Sequence, residues 1–428
     1  MKAAVASLQT IREEAAERFR DLGYPTTRQE EWKYTNVAPI ARVQWSAARP
    51  RAASAAGSAA APLDTSETLA GKAVAELIFL NGRIVQRSGS RVAGLRVVPV
   101  SEASEAELEE YYGRLADWQR NPFVALNTAT SEDGALVVVD APVEGFVHLL
   151  FIGEGDEIWS HPHNVIVAGR ASQITVVETY VGRGRYFTNA VTEVFAGDGA
   201  VVDHYKVECE SRQAYHIGTV HFRQNRSSSV ISRNIAIGGA LVRNDIIGLL
   251  AGPGASLTLD GLFVETGNQH IDNHTLIDHV SPQAESHEVY KGILDGHSRG
   301  IFDGRIIVRP DAQKTISRQE NRNLLLSETA IVDSKPTLEI HNDDVKCNHG
   351  STIGQLEEEP LFYLRSRGIG EEDARNLLVF AFASEIVDRM KVEPIREYVR
   401  RALFQQMPGR LPEGRAEGRG MRDEGRKP

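Results

Sequence analysis

Three sections of the chain differ in how hydrophobic and polar residues alternate. Residues 10–23, TIREEAAERFRDLG, have apolar residues at helical spacing and end at Gly23, which predicts a helix with a glycine cap. From about 135 to 345, short alternating apolar runs are separated by Gly, Asn, Asp and Ser, a pattern typical of strands. Over 357–407, apolar residues recur at i, i+3, i+4 and i+7, which again predicts helices. We therefore expect helices on both sides of a β-rich middle section.

The β-rich middle section contains a weak repeat. Similar segments begin at positions 171, 200, 228, 255, 284 and 313, so that successive starts are 29, 28, 27, 29 and 29 residues apart. Such a period, with strands and no helix, favours a β-solenoid in which each coil stacks on the next. A β-sandwich, with a strand every 8–12 residues, is the alternative. The regular spacing favours a mainly β fold with a parallel β-helix at its centre.

Changes in composition predict the boundaries between sections. Nine of the sixteen residues in 47–62 are alanine, with Pro, Gly and Ser between them, which is typical of a linker. Asn81-Gly82 predicts a β-hairpin with a type I′ turn, and a helical pattern that follows it breaks at Pro122. The predicted sections are an N-terminal helical region (1–46), the linker (47–62), a mixed strand and helix part (63–134), the β-helix core (135–345), a C-terminal helical domain (346–407) and a disordered tail (408–428).

Composition and charge exclude several classes of protein. The net charge of −10 argues against general nucleic-acid binding, which requires a basic surface. With only Cys209 and Cys347, and no CxxC pair, the chain alone cannot build a disulfide framework, a zinc ribbon or a ferredoxin-type site. No stretch is apolar enough for a membrane helix, the N-terminus lacks a signal-peptide core, and no GxxxxGK[ST] loop for binding ATP occurs. These features predict a reduced, cytoplasmic protein that binds neither membranes nor nucleic acid.

One polar stretch near the end of the β-rich section combines several metal-binding residue types. In HNDDVKCNHGSTIG, residues 341–354, the side chains of Asp343, Asp344, Cys347 and His349 lie within seven residues. A thiolate beside an imidazole suits iron or zinc better than magnesium. The alternative is a capping turn, in which Asn342 and the aspartates bind backbone amides and Cys347 packs as a small hydrophobic residue. The residues alone favour the turn without excluding the metal site.

A second polar stretch, NQHIDNHTLIDH, contains three histidines and two aspartates: His270, His274, His279, Asp272 and Asp278. In a strand, His270, Asp272 and His274 would share one face, whereas His279 would lie on the opposite face. This spacing fits either a carboxylate–imidazole metal site or an outward ladder of polar side chains. The other cysteine, Cys209 in DHYKVECE, fits a half-buried strand position.

The C-terminal motifs resemble a known protein family. The stretch 341–369, HNDDVKCNHGSTIGQLEEEPLFYLRSRGI, is followed by ARNLLVFAFASEIV at 374–387. Together they resemble the C-terminal hallmark of the SufB/SufD family, the scaffold subunits of the SUF iron–sulfur cluster assembly machine. EEWKYTN at 30–36 resembles the entry motif of the SufD branch, and the low cysteine content favours the same branch. With the β-rich middle section, the resemblance covers residues 1–407.

The resemblance implies a fold and a role. The family's fold is a right-handed parallel β-helix between an N-terminal helical region and a C-terminal helical domain. Its members act as non-catalytic scaffolds in a SufBCD-type complex. A SufB-like subunit pairs with the end of the β-helix, and a SufC-like ATPase docks on the C-terminal helices, here at about 355–392, to drive cluster assembly at the interface between the two scaffolds. A free β-helix end would also favour a homodimer when the chain is alone.

The same resemblance assigns the candidate site. The histidine of the C-x-H element, His349 here, is the implied ligand for iron or for a transient iron–sulfur cluster shared with the SufB-like partner, and Cys347 is its neighbour. No catalytic residue is implied, and the sequence shows no site for the flavin that has been associated with such complexes. A purely structural partner that contributes no ligand is the main alternative. A β-solenoid enzyme acting on polysaccharide is the second, disfavoured because the middle section has few Trp or Tyr.

Overall fold

A β-solenoid of about eight turns forms the centre of the molecule, with helices at its N- and C-terminal ends. The computed structural model describes residues 8–47, 69 and 71–406. The α-helices are α1 (Leu8–Leu22), α2 (Ala38–Ala41), α3 (Glu105–Tyr111), α4 (Pro122–Thr130), α5 (Glu358–Ser366), α6 (Glu371–Val387) and α7 (Glu393–Gln406). Two 3₁₀ helices span Glu30–Trp32 and Val100–Glu102. The predicted fold class, mainly β with a solenoid between helical regions, is confirmed.

The strands of the described residues follow one another along the chain with short turns between them. They are β1 (Ser46–Ala47), β2 (Ala75–Leu80), β3 (Arg83–Gly89), β4 (Leu95–Pro99), β5 (Ala135–Val139), β6 (Val147–Glu154), β7 (Ile158–Ser160), β8 (His163–Ala168), β9 (Gln173–Arg183), β10 (Tyr186–Ala196), β11 (Val201–Cys209), β12 (Tyr215–Gln224), β13 (Ser229–Ala236), β14 (Leu241–Leu250), β15 (Ser256–Glu265), β16 (His270–His279), β17 (Glu285–Leu294), β18 (Arg299–Val308), β19 (Ile316–Leu325), β20 (Ile331–Ile340) and β21 (Lys346–Gln355).

The strands form two sheets in which alternate strands of the chain are neighbours. Sheet A has the order β20-β18-β16-β14-β12-β10-β8-β5-β4, with β1 and β7 attached beside β10. Sheet B has the order β21-β19-β17-β15-β13-β11-β9-β6-β2-β3. Neighbours within the solenoid are parallel and in register, so that Val201 of β11 lies between Gln173 of β9 and Ser229 of β13. Parallel neighbours one coil apart define a solenoid and exclude the β-sandwich.

The weak sequence repeat corresponds to the coils of the solenoid. The six segments that begin at 171, 200, 228, 255, 284 and 313 contain the first residues of β9, β11, β13, β15, β17 and β19. These strands are consecutive neighbours in sheet B. The sequence spacing is therefore the length of one coil, as predicted.

Alternation along each strand places every second side chain inside the solenoid, where it stacks on the same position of the next coil. Near the N-terminal end these side chains are apolar, and the rings of Phe79, Phe151 and Tyr180 stack with centroids 4.9 and 4.8 Å apart. Burying one such side chain stabilises the fold by roughly 1.5–3 kcal/mol. Toward the C-terminal end, buried polar residues such as Glu288 and Gln319 replace many of them. The two ends of the interior therefore differ in chemistry.

Most local predictions at the N-terminal end are confirmed. Gly23 follows α1 with a φ of 61°, and its amide donates to the carbonyl of Phe19 at 2.8 Å, which forms the helix cap. Asn81 and Gly82 connect antiparallel β2 and β3 with φ angles of 49° and 81°, as a type I′ turn requires. Pro122 is the first residue of α4, where its missing N–H costs no helical hydrogen bond, but the helix before it ends at Tyr111, so the helical pattern predicted up to Pro122 is wrong for 112–121.

The solenoid ends later than the sequence predicts. Strand β21 pairs with β19 along its whole length, so the β region ends at Gln355 and the boundary predicted at 345 is wrong. The sequence does not predict β21 as a strand, because its Gly and polar residues lack the apolar alternation of the earlier strands. Of the predicted linker only Ala47 is described, and the predicted tail, 408–428, lies outside the described residues.

The C-terminal helices α6 and α7 pack on the outer face of sheet B. Ile386 of α6 and Val399 of α7 belong to one buried apolar cluster with Val207 of β11 and Ile293 of β17. Sheet B thus provides the partner surface that the broadly apolar sequence of α6 requires. None of the described helices is both long and apolar enough to cross a membrane.

Candidate functional site at the open end of the solenoid

Both sheets end at the C-terminal end of the solenoid, where β20 is the last strand of sheet A and β21 the last of sheet B. We call this edge the open end, since in the described part of the chain no further strand pairs with it. Ile331, Ile340 and Ile353 on these two strands are 54%, 42% and 52% exposed. Unpaired backbone groups beside exposed apolar side chains favour pairing with another chain.

Cys347 and His349 lie on β21, at the open end. They are two residues apart, so alternation places them on the same face of the strand. Cys347 is half-buried against the main apolar core, and burial raises the pKa of its thiol. His349 is exposed. The structure therefore brings together the two residues predicted to form the site, with the imidazole the more accessible.

The aspartates of the same motif lie in the turn before β21. Asn342 organises this turn: its Oδ1 accepts from the amide of Asp344 at 2.9 Å, and its Nδ2 donates to the carbonyl of Pro310 at 2.5 Å. The carbonyl of Asp344 accepts from the amide of Lys314 at 2.6 Å. For this part of the motif, the alternative of a capping turn describes the structure.

The open end does not form a complete metal site by itself. Among residues 8–47, 69 and 71–406, no three His, Cys, Asp or Glu side chains are grouped so that they could hold a metal ion. The four donors at 343–349 therefore do not act as one group in the isolated chain. Iron–sulfur clusters are commonly held by four protein ligands. Any cluster bound at Cys347 and His349 would need further ligands from another chain.

A column of buried polar side chains runs inward from Cys347. Ser317 lies beside Cys347 on the next coil, and Ser286 lies beside Ser317 on the coil after that. The two serine hydroxyls are 2.7 Å apart, and Nε2 of His279 lies 2.9 Å from the hydroxyl of Ser286. His279 faces the interior, opposite in direction to His270 and His274, as the strand alternation predicted.

A second column runs inward from His349. Gln319 lies beside His349 on the next coil, and Glu288 lies beside Gln319 on the coil after that. Burial raises the pKa of Glu288 to about 7. The sequence repeat did not reveal either column, because Ser286 and Ser317, like Glu288 and Gln319, are 31 residues apart, whereas the repeat segments that begin at 284 and 313 are 29 apart.

The polar face of β16 anchors the N-terminal region. His270, Asp272 and His274 share the outer face, as predicted, and Asp272 accepts a hydrogen bond from the hydroxyl of Thr35. Asp272 also lies 3.0 Å from a guanidinium nitrogen of Arg243 and 2.9 Å from Nε2 of His274. The carboxylate thus faces Thr35, Arg243 and His274, and the described residues contain no group of three donors for a metal ion, so the outward polar ladder, and not the metal site, describes 268–279.

The EEWKYTN motif supplies the other half of this anchor. Trp32 is buried, and the guanidinium carbon of Arg243 lies 3.9 Å from the centroid of its ring. Arg243 also donates to the carbonyl of Glu31 at 2.7 Å. Cation–π contacts of this kind contribute about 0.5–2 kcal/mol. The motif therefore holds the N-terminal helices against sheet A.

A charged cluster is enclosed in the middle of the solenoid. Lys206 donates to Glu208 and, at 2.8 Å, to Oδ1 of Asn244. The ring nitrogens of His216 lie 2.8 Å from Glu208 and 2.7 Å from Glu210. Burial opposes ionisation of Glu208, but the charges of Lys206 and His216 prevail and lower its pKa to about 2. Each charge has a partner, so the cluster is a structural element of the core.

The helix α5 projects from the molecule. All its residues are at least partly exposed, and Phe362 and Tyr363 are 72% and 55% exposed. The helix α6 contacts α5, and its residue Leu377 is also exposed. Large exposed apolar side chains on adjoining helices are typical of a docking surface.

Ion pairs connect α6 to three neighbouring strands of sheet B. Glu385 accepts from Lys291 of β17 and lies 3.4 Å from Arg322 of β19. Arg389, just beyond α6, donates to Asp260 of β15 at 2.6 Å. Although burial acts against it, the ion pair with Lys291 lowers the pKa of Glu385. We call Glu385, Arg389 and their three partners the helix joint.

Comparison with known proteins identifies the family. The profile described as "SUF system FeS cluster assembly, SufBD core domain" matches residues 151–382, and that of the "SufBD protein N-terminal region" matches residues 1–145. An iron–sulfur cluster assembly SufBD family protein of Synechocystis is 29% identical over 92% of this chain and 89% of its own length. The chloroplastic protein ABCI7 of Arabidopsis thaliana is 35% identical over 56% of this chain and 52% of its own.

The iron–sulfur cluster assembly protein SufD of Escherichia coli is 28% identical over 90% of both chains. These matches confirm the resemblance found in the C-terminal and EEWKYTN motifs. The core profile alone covers more than half of the 428 residues. The chain belongs to the SufBD family of the SUF system for iron–sulfur cluster assembly.

Proposed function

We propose that this chain is a non-catalytic scaffold subunit of a SufBCD-type complex, which assembles nascent iron–sulfur clusters at the interface between this chain and a SufB-like subunit. The position of Cys347 and His349 on the terminal strand β21, whose outer edge pairs with no other strand in the described part of the chain, carries this proposal. An open solenoid end suits pairing with the end of a second solenoid. A partner docked there would enclose both side chains.

The side chains of Cys347 and His349 are suited to binding the iron of a cluster that is assembled at this interface. A neutral imidazole and a thiolate both coordinate iron, and mixed His and Cys ligation of a cluster occurs in Rieske centres. The thiol of Cys347 has a raised pKa, so binding of iron would have to displace its proton. The SufB-like partner would provide the remaining ligands, and the cluster would leave with a recipient protein.

The energy for assembly would come from a SufC-like ATPase. The exposed apolar side chains of α5 and α6, within the predicted docking region 355–392, support docking of this partner there. Movement of the docked ATPase would pass through the helix joint into sheet B. Of the three strands of the joint, β19 pairs directly with β21, and β17 and β15 follow it in the sheet, so this movement would reach the open end through β19.

The test is anaerobic co-purification of the chain with the SufB- and SufC-like proteins of the same source, followed by assay of iron and sulfide. His349→Ala is compared with wild type and with His341→Ala, an exposed histidine at the same end that pairs with Glu339. We expect His349→Ala to lose most of the iron and sulfide from an intact complex and His341→Ala to retain them. Unchanged content in the His349→Ala complex would refute a ligand role.

A purely structural partner is the second candidate, favoured by the packing of Cys347 against the apolar core. It predicts that Phe362→Asp, on the proposed docking surface, disrupts the complex whereas His349→Ala changes nothing. Membership of the SufBD family leaves the polysaccharide-enzyme alternative without support. The cytoplasmic location and the homodimer of the isolated chain stay predictions.

A further inference from the structure

The column beneath His349 is organised in a way that core packing does not explain. His349, Gln319 and Glu288 occupy the same position on three consecutive coils of sheet B. Neighbouring parallel strands lie about 4.8 Å apart, and side chains at paired positions point the same way. Gln319 is therefore the first side chain that the imidazole of His349 meets toward the interior.

The orientation of the Gln319 amide is fixed by Glu288. Both side chains are fully buried, and Nε2 of Gln319 donates to Oε2 of Glu288 at 2.6 Å. A carboxyl group can accept through one oxygen whether or not the other oxygen carries a proton, so this bond can hold the amide nitrogen toward Glu288 in either protonation state. Oε1 of Gln319 has no hydrogen-bond partner among the described residues. An unsatisfied buried acceptor costs about 1–3 kcal/mol and calls for an explanation.

We propose that Gln319 is a positioning residue for His349: its Oε1 accepts the free ring N–H of the imidazole when the other ring nitrogen binds iron, and Glu288 holds the amide in place. This inference rests on the proposed function, because it assumes that His349 binds iron. Metal-binding histidines almost always donate their second ring N–H to a carbonyl, carboxylate or water. That bond selects the tautomer and the ring orientation, and it raises the basicity of the coordinating nitrogen.

The neighbouring column does not offer the same partner. Ser317, beside Cys347, already shares its hydroxyl with Ser286. Ser317→Ala is therefore a matched control, since it changes the same strand and the same buried face without changing the position beside His349. Gln319→Met removes the acceptor at similar volume.

The test measures binding of ferrous iron to the anaerobic complex, stripped of iron beforehand, by competition with a chromogenic chelator. We expect Gln319→Met to lower iron affinity about 10–100-fold, the usual effect of losing such a partner, and Ser317→Ala to have little effect. The double variant Glu288→Gln/Gln319→Glu exchanges donor and acceptor within the column. It leaves a carboxylate oxygen facing His349, so iron affinity should return to near the wild-type value.

Because the exchange also restores the bond between positions 288 and 319, the single variant Glu288→Met separates positioning from a merely structural role. It breaks the same buried bond but keeps Oε1 of Gln319, so positioning predicts a smaller loss of iron affinity than in Gln319→Met, whereas a structural role predicts an equal loss. Unchanged affinity in Gln319→Met, or no rescue by the double variant in an intact complex, would overturn the inference. If Gln319→Met fails to assemble, Gln319→Asn replaces it, because its shorter side chain cannot reach the ring, and the same loss is expected. Wild-type affinity in His349→Ala would instead overturn the ligand role that the proposed function gives to His349.

Discussion

Glu288→Gln should stabilise the protein at alkaline pH, because the wild-type carboxyl is buried where its charged form is disfavoured. Burial raises the pKa of Glu288 to about 7, compared with 4.5 for the unperturbed group. The folded protein therefore binds more protons than the unfolded chain between these values, and stability falls as the pH rises through them. A glutamine has the same shape, accepts the hydrogen bond from Gln319 and carries no charge.

The size of the effect follows from the two pKa values. A difference of one pKa unit corresponds to 1.36 kcal/mol. Integration of the two titrations gives a destabilisation by the carboxyl of less than about 1 kcal/mol at pH 5, about 2 kcal/mol at pH 6 and about 3 kcal/mol at pH 8. Glu288→Gln removes this term, so the advantage of the variant over wild type should grow with pH in the same way.

The assay is urea unfolding of the full chain at these three pH values, followed by intrinsic fluorescence. Glu285→Gln is the control, since Glu285 lies on the same strand with an exposed side chain, and it should change the free energy of unfolding only slightly. A pH-independent difference between Glu288→Gln and wild type would refute the reasoning. So would a variant that is less stable than wild type at pH 8.

Three further substitutions test other parts of the structure. Trp32→Ala removes a buried ring beneath Arg243 and should destabilise the N-terminal region by about 3–5 kcal/mol, seen as faster limited proteolysis before residue 47. Glu385→Ala leaves the buried charge of Lys291 without its carboxylate partner, so hydrogen exchange in α6 should rise while that of β9 stays unchanged. Glu208, whose pKa is lowered to about 2, stabilises the fold above pH 4.5 by about 3 kcal/mol, and this contribution is lost as the pH falls from 4.5 to 2. In Glu208→Gln the free energy of unfolding should therefore fall less steeply over this pH range than in wild type, as measured by urea unfolding.

The solenoid could be predicted from the sequence because its period is local. Each coil repeats the same alternation, so the similarity of the segments beginning at 171, 200 and 228 can be recognised from the sequence without knowledge of distant contacts. The hairpin at Asn81-Gly82 and the cap at Gly23 were predictable for the same reason, since each depends on the φ preferences of one or two residues.

The interior polar columns and the N-terminal anchor could not be predicted in this way. Whether Glu288 points inward depends on the register of its strand, and a shift of one residue reverses every side chain. The contact of Thr35 with Asp272 joins residues 237 positions apart, and no local pattern indicates it. The position of Cys347 and His349 at an unpaired edge likewise required β21 to be recognised as a strand, which its Gly and polar residues obscured.

The helix joint determines how the molecule carries mechanical load. Its ion pairs attach α6 to β15, β17 and β19, which are three adjacent strands. Each of these strands is held to the next by a ladder ten residues long, so a pull on α6 along the strands loads all the ladder hydrogen bonds together in shear. A pull away from the sheet would instead load them one at a time. The arrangement is therefore stiff in one direction and compliant in the other, and the direction of a force applied to α6 decides whether the ladders resist it together or separate one bond at a time.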